Sequence, residues 1–220
     1  MSENLTLCEE IILLTISDEG KLLREPSGLA AKSAVAGACL IDLALLNRID
    51  NDLQHFFVID QAPTNEGHLD LALASLAQSG QKHTLDSAVS CVLQIAEELY
   101  ELAFKRLINR GIIEPKDQVF LWVIKSRRYP QTDDAAQNAT KQKILDALLS
   151  KSIPTPRDVA LIALAYDYNI LKLFMADREI ERLMDRIIDV ASLDISLQAL
   201  RRMSLAIQAQ LAAVYISPIM

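Results

Sequence analysis

Few side chains in this sequence are arranged for chemistry, and the most unusual of them is an acid inside an apolar helix. Asp42 lies in the stretch AVAGACLIDLALL, whose other residues are small or aliphatic. A buried carboxyl group is either a functional acid with a shifted pKa or a structural group that pairs with a base or caps a neighbouring helix. The structural role is the more common one, and we predict it for Asp42.

The histidines and cysteines of the chain are scattered rather than grouped. The three histidines are His55, His68 and His83, and the three cysteines are Cys8, Cys39 and Cys91. No second ligand stands at metal spacing, so we expect the histidines to be ordinary surface or boundary residues. An odd, dispersed set of cysteines indicates buried free thiols in a reducing compartment. No glycine-rich phosphate loop, HExxH, CxxC or GxSxG motif is present, so we predict no catalytic residue, metal site or cofactor.

Two basic residues flank the loop EPSG before the apolar helix. They are Arg24 and Lys32. A helix N-terminus with bases beside it can hold a phosphate group, so these two residues are weak candidates for a lipid-headgroup site.

Composition narrows the class of protein. Of 220 residues, 51% are hydrophobic and 23% charged, which predicts a folded globular chain. The net charge of −7 opposes long-range attraction to nucleic acid or to an anionic bilayer. No apolar stretch is long enough to span a membrane, and the N-terminus carries acids where a signal peptide needs bases. We therefore expect a cytoplasmic protein, either free or peripheral on the cytosolic face of a membrane.

The elements that must position these residues are mostly helices. Thr6 and Glu9 form a capping-box pattern, and Gly111 is a predicted helix stop. A helix from Leu85 to Arg110 is expected in two pieces that meet near Gln94. The remaining predicted elements are a central helix over 29–46, a short hairpin over 49–59, a helix after Pro63-Thr64, a loop over 131–138, and helices over 139–149, 157–168, 177–190 and 197–215. The fold class is thus mainly α: one domain over 1–220, a helical bundle with a projecting β-hairpin and one or two other short hairpins.

The projecting hairpin follows the helix stop. Val119 to Ile124 is a run of six apolar residues, and its β-branched and aromatic types favour a strand. Without polar alternation both strand faces must be covered, by another subunit or by a membrane. Trp122, with Lys125, Arg127 and Arg128 downstream, suits a bilayer interface. The alternative is that Phe120 and Trp122 pack against the helical body.

Five motifs occur in an order that resembles one known family. They are LTLCEEIILL, AGACLIDLALLNRI, DQAPTNEGHLDLAL, LINRGII and FLWVIKSRRYP. From Leu5 to about Pro130, and more loosely in the C-terminal helices, the chain resembles the Golgi phosphoprotein 3 family. The resemblance implies a mostly helical domain with a projecting hydrophobic hairpin. Eukaryotic members are adaptors, not known as enzymes, that bind phosphatidylinositol 4-phosphate on the Golgi and link glycosyltransferase tails to coat protein; bacterial relatives share the domain.

The family's headgroup residues do not carry over. Where the family has a tryptophan and three arginines, this chain has Ser27, Ala36, Glu97 and Tyr100. None can replace the forked grip of a guanidinium on phosphate, and Glu97 would repel the headgroup. The basic coat-binding segment is also not evident before Leu5.

The family's hydrophobic hairpin does carry over. Its matching residues here are Ile112, Ile113, Phe120, Leu121, Trp122 and Ile124. The resemblance implies that they contact a membrane or a second subunit.

Three hypotheses follow from these observations. The first is a peripheral membrane adaptor with weak or altered binding to an acidic phospholipid, a homo-oligomer through the hairpin, and a protein partner. The second is a soluble oligomeric scaffold for protein interactions without lipid binding. The third is a winged-helix DNA-binding protein, because LINRGII leads into a hairpin, although the acidic charge argues against nucleic acid.

Overall fold

The helices and strands follow the predicted order along most of the chain. The computed structural model describes residues 5–16, 28–52, 55–113, 135–150 and 152–192. Within these ranges the helices are α1 (Leu7–Leu14), α2 (Gly28–Leu45), α3 (Gly67–Ser79), α4 (Leu85–Gln94), α5 (Ala96–Asn109), α6 (Ala135–Leu149), α7 (Pro156–Asp167) and α8 (Asp177–Ser192), with a 3-10 turn over Ile170–Leu173. The strands are β1 (Ile49–Asn51), β2 (His55–Val58) and β3 (Lys82–Thr84). The prediction of a mainly α fold is confirmed.

Helix α1 is short, strongly capped and enclosed on every side. Thr6 Oγ1 accepts a hydrogen bond from the Glu9 amide, and the Glu9 carboxylate accepts one from the Thr6 amide at 2.8 Å. This is the predicted capping box. All eight residues of α1 are buried, because α2, α5, α6 and α7 all pack around it. The helix therefore forms the axis of the bundle, and its two glutamates lie inside the protein.

Helix α2 is the second central element. It contacts α1, α3, α4, α5 and α7, and every residue from Val35 to Leu40 that carries a side chain is buried. Small side chains let the neighbouring helices approach closely. Asn47 ends the helix in the left-handed region at φ 54°, and the chain then enters β1.

The sheet is small and antiparallel, in the order β1-β2-β3. In the predicted hairpin Ile49 pairs with Val58, and both are buried together with Phe56. Strand β1 packs against α2, and β2 packs against α3 and α4. Strand β3 adds to the other edge, with His83 opposite Phe56. This third strand was not predicted, because three residues of the type Lys-His-Thr carry no apolar alternation.

The sequence predicted a helix break near Gln94 and a helix stop at Gly111, and both are confirmed. Helix α4 ends at Gln94 and α5 begins at Ala96. Gly111 adopts φ +68°, and the amides of Gly111 and Ile112 donate to the carbonyls of Ile108 and Leu107. A left-handed glycine after the last turn is the usual end of a helix.

One predicted loop is partly wrong. The segment 131–138 was expected to be a loop, but α6 begins at Ala135. The cause is Gln137, which is buried and donates from its amide to the carbonyls of Leu13 and Ile16 at the end of α1. Its polarity satisfies the end of α1, so it does not mark a solvated loop.

Helices α7 and α8 complete the described bundle. Thr155 and Asp158 form a second capping box with proline at the first helical position. Arg186 of α8 caps the far end of α6 by donating to the carbonyls of Ser150 and Ser152 at 3.1 and 3.0 Å. None of the helices seen in these ranges is long and apolar enough to cross a membrane. The predicted projecting hairpin and the predicted helix over 197–215 lie outside the described residues.

Candidate headgroup site and buried charge cluster

Asp42 has the structural role that the sequence predicted. Its carboxylate accepts from the Leu7 and Cys8 amides at 2.8 and 3.4 Å, so it caps the N-terminus of α1 from the neighbouring helix. Arg157 of α7 donates to its other oxygen at 3.2 Å. Burial raises the pKa of Asp42 to about 7, and the Arg157 charge and the two amides oppose that rise without cancelling it.

The two glutamates of α1 complete a buried charge cluster, which we define as Glu9, Glu10 and Asp42 with the bases that reach them. Glu9 binds Arg106 at 2.6 Å and Arg110 at 3.4 Å. Glu10 binds Lys143 at 2.7 Å and Arg157 at 2.9 Å. The cluster joins α1 to α2, α5, α6 and α7. Buried carboxylates need positively charged partners. These bases therefore serve the fold and do not form a binding site for an external phosphate.

Two of the three histidines contradict the prediction of a surface or boundary position. His68 and His83 are 1% and 3% exposed. His83 Nε2 lies 3.0 and 2.9 Å from the carbonyl oxygens of Leu76 and Gly80, so its N–H donates to the last turn of α3 and to the residue that caps it. A histidine ring can be buried wherever backbone carbonyls accept from it, and loop position alone did not show this. His55 is half-buried beside Asp52, as expected for a boundary residue.

His68 joins the charge cluster through the cap of α1. Its Nε2 lies 3.1 Å from Thr6 Oγ1. Burial lowers the pKa of His68 to about 4, and the nearby Glu9 charge reduces this shift only in part. The ring is therefore neutral near pH 7.

The candidate headgroup residue Lys32 is not free. It forms an ion pair with Glu97, one of the substituted family positions. Lys32 is on α2 and Glu97 is in the first turn of α5, where the helix dipole favours a carboxylate. The side chains are 29% and 60% exposed. The structure thus brings together a candidate base and the acid expected to repel a headgroup, and their charges cancel.

The other substituted positions lie one turn further along the same two helices. Ala36 is fully buried in α2, four residues after Lys32. Tyr100 follows Glu97 by three residues in α5, is half-buried, and stacks on Phe104 with ring centroids 5.9 Å apart. Neither position supplies a positive charge. Arg24 and Ser27 lie outside the described residues.

The helical body agrees with one family of known proteins. A family model described as Golgi phosphoprotein 3 matches residues 7–207, which includes every helix named above. The chain belongs to the Golgi phosphoprotein 3 family. A search of curated proteins found no match to the chain.

The family's hydrophobic hairpin corresponds here to the segment from Ile112 to Ile124, which we call the hydrophobic segment. Its first two residues are described by the structure. Ile113 is fully buried in the core and Ile112 is half-buried. These two residues therefore join the segment to the body of this Golgi phosphoprotein 3 family member. The rest of the predicted contact, namely Phe120, Leu121, Trp122 and Ile124, lies outside the described residues.

The same helix end bears on the winged-helix alternative. Arg110 is the last residue of the motif LINR, and Arg106 comes directly before that motif. Both arginines form ion pairs with Glu9. The exposed residues on the N-terminal half of α5 include Glu97, Glu98 and Glu101. An acidic helix face repels a phosphate backbone, so the geometry argues against DNA recognition by α5.

Proposed function

We propose that this chain is a non-enzymatic peripheral membrane adaptor of the Golgi phosphoprotein 3 type, with weak or altered binding to phosphoinositide headgroups. The observation that carries the adaptor assignment is the family match over residues 7–207. The ion pair between Lys32 and Glu97 supports the altered headgroup binding.

The ion pair affects headgroup binding through simple electrostatics. A phosphate that approaches Lys32 must displace Glu97 or accept its repulsion, and either outcome costs part of the attraction. At Ala36 and Tyr100 the family's guanidinium groups are replaced by a methyl group and a phenol, which carry no charge. The bases of the charge cluster cannot substitute, because they hold Glu9, Glu10 and Asp42.

The membrane contact in this proposal belongs to the hydrophobic segment from Ile112 to Ile124. Its apolar residues would enter the bilayer or pair with a second copy, and Lys125, Arg127 and Arg128 would meet anionic lipid. A basic residue near such a surface contributes about 1 kcal/mol, which offsets part of the repulsion from the net charge of −7. A protein partner would then be brought to the membrane by the helical body.

Vesicle co-sedimentation tests the membrane part. The full chain is mixed with vesicles of phosphatidylcholine alone and with added phosphatidylserine, at low and high salt. We expect the chain to sediment with anionic vesicles, and we expect Trp122→Ala to lower the bound fraction severalfold. Trp122→Phe, which keeps an aromatic ring, is the matched control and should retain most of the binding.

Absence of binding to every vesicle would reject the membrane role and favour the scaffold hypothesis. In that case a pull-down with the same variants should still recover a protein partner without lipid. Binding that is unchanged in Trp122→Ala would instead place the membrane contact outside the hydrophobic segment.

A further inference from the structure

Two cysteines that are far apart in the sequence meet in the core. Cys8 is in the first turn of α1 and Cys39 is in the middle of α2, and both are fully buried. Their Sγ atoms are 3.1 Å apart, and both are free thiols. Cys91 is half-buried elsewhere, with its Sγ 3.4 Å from Ser79 Oγ.

The backbone around the two thiols is held firmly. Asp42, three residues after Cys39 on α2, accepts from the amides of Leu7 and Cys8. This cap sets the position of the first turn of α1 against α2 and keeps the two sulfurs together. The Cys8 thiol also has the Val35 carbonyl and the Asp42 carboxylate within 3.6 Å. A disulfide bond is about 2.05 Å long, so an approach of about 1 Å would join the sulfurs.

We propose that Cys8 and Cys39 are a redox pair that closes into an intrachain disulfide between α1 and α2 when the chain meets a small two-electron oxidant such as hydrogen peroxide. Neither sulfur reaches the surface, so the pair cannot link one chain to another. The product is a covalent bond between the two central helices of the bundle.

The reaction balances with peroxide as the only co-reactant. One thiolate attacks a peroxide oxygen, the O–O bond breaks, and a sulfenic acid forms while hydroxide leaves and takes up the proton released by the thiol. The second sulfur then attacks the sulfenic sulfur, the S–O bond breaks, and water leaves with the proton of the second thiol. Two thiols and one peroxide give one disulfide and two waters. The sulfurs lose two electrons and the peroxide oxygens gain them.

Burial sets the rate of this reaction. It raises the pKa of the Cys8 thiol well above its ordinary value, and the neighbouring Cys39 and Asp42 raise it further. Thiolate is the reactive form, so the folded pair should react slowly, and faster at alkaline pH. Transient opening of α1 would also increase the rate. The half-buried Cys91 should react first and must be removed to observe the pair.

Mass spectrometry of the full chain carrying Cys91→Ser tests the proposal. The reduced protein is treated with hydrogen peroxide, then unfolded and alkylated. We expect a species that is lighter than the reduced, unalkylated chain by two hydrogen atoms and in which neither cysteine is alkylated. After digestion, the peptides that contain Cys8 and Cys39 should be linked. Cys39→Ser in the same background should give sulfenic or more oxidised Cys8 without a link. Two alkylated thiols or two sulfinic acids in the Cys91→Ser protein, in place of the link, would overturn the proposal.

A second measurement does not depend on peroxide reaching the core. The Cys91→Ser chain is oxidised in denaturant at low protein concentration and then refolded. Because the bond closes a loop of about 30 residues, it should raise the melting temperature by roughly 5–10 °C, and reduction should reverse the rise. An oxidised chain that fails to regain its helical circular dichroism, or that melts below the reduced chain, would show that the bond does not fit the native helix pair.

Discussion

The ionisable residues at the N-terminus of α1 respond to pH in opposite directions. Asp42 has a pKa near 7 in place of an ordinary 3.8, so its contribution to stability is full below pH 3.8 and is lost as pH rises through 7. His68 has a pKa near 4 in place of 6.5, so its contribution is full above pH 6.5 and is lost as pH falls through 4. Between about pH 4 and 6.5 the two effects largely cancel.

Single substitutions should therefore reveal pH dependence that the unmodified chain hides. Asp42→Asn should leave a protein whose unfolding free energy falls as pH drops from 6.5 to 4, because Asp42 no longer opposes the His68 effect. His68→Gln should leave one whose unfolding free energy falls as pH rises from 4 to 7. Each change should amount to about 2–3 kcal/mol across its window. Urea unfolding at half-unit steps of pH measures it, and parallel profiles for both variants and the parent would contradict the assigned pKa values.

Glu97 should control how the α2–α5 surface meets anionic lipid. Glu97→Arg frees Lys32 and adds a guanidinium at a family headgroup position, a change of two charges worth about 2 kcal/mol at an anionic surface. Glu98→Arg has the same charge change on an exposed neighbour but leaves the ion pair intact. We expect Glu97→Arg to gain more binding to vesicles with phosphatidylinositol 4-phosphate than Glu98→Arg does. Equal gains would show that only net charge matters there.

At the scale of whole elements, α1 is held by the charge cluster in addition to its apolar packing. Arg157 connects α7 to Glu10, to Asp42 and to the Leu5 carbonyl. Removal of one partner from a buried ion pair leaves an uncompensated charge in the interior. The helix should therefore be more sensitive to the loss of this arginine than to the loss of an exposed one.

Arg157→Met should lower the unfolding free energy by about 2–3 kcal/mol, a reduced figure because the side chain is partly exposed. Arg178→Met, on the exposed face of α8, is the matched control and should change it by less than about 0.5 kcal/mol. Chemical denaturation of both variants at pH 7.5 makes the comparison. Similar small losses in the two would mean that Arg157 is not needed to hold α1.

The end of α5 requires a left-handed backbone conformation at Gly111, and side-chain crowding plays no part there. A Cβ at Gly111 would meet nothing within 4 Å, yet φ is +68°, so Gly111→Ala should cost about 1 kcal/mol through strain alone. Gly67→Ala, at the first position of α3 with equal space and no positive φ, should be neutral or stabilising by up to about 1 kcal/mol. Thermal unfolding of both distinguishes strain from crowding. A neutral Gly111→Ala would contradict the left-handed helix end.

Local signals in the sequence predicted most of these elements. The capping box at Thr6 and the stop at Gly111 depend on neighbouring residues, and both are confirmed. The burial of Gln137 and His68 was missed because their partners, the end of α1 and Thr6, are distant in the chain. The pairing of Lys32 with Glu97 and of Cys8 with Cys39 was missed for the same reason. Spacing along one segment cannot show a contact between two helices.

At the scale of the whole molecule, the chain keeps the helical body of the Golgi phosphoprotein 3 family. The positions that we propose for its headgroup site, Ala36, Glu97 and Tyr100, carry no unpaired positive charge. The net charge of −7 adds a long-range repulsion from anionic membranes. Membrane association in our account therefore depends on the hydrophobic segment and shows little preference among anionic headgroups.

Headgroup preference in the unmodified chain tests this account most directly. Binding is measured on vesicles with phosphatidylinositol 4-phosphate and on vesicles with phosphatidylserine, at equal surface charge and physiological salt. We predict dissociation constants for the two vesicle types that agree within about a factor of two, which corresponds to less than about 0.5 kcal/mol. A preference of tenfold or more for phosphatidylinositol 4-phosphate would contradict the account, because it would require a phosphate site that the paired Lys32 and Glu97 do not provide.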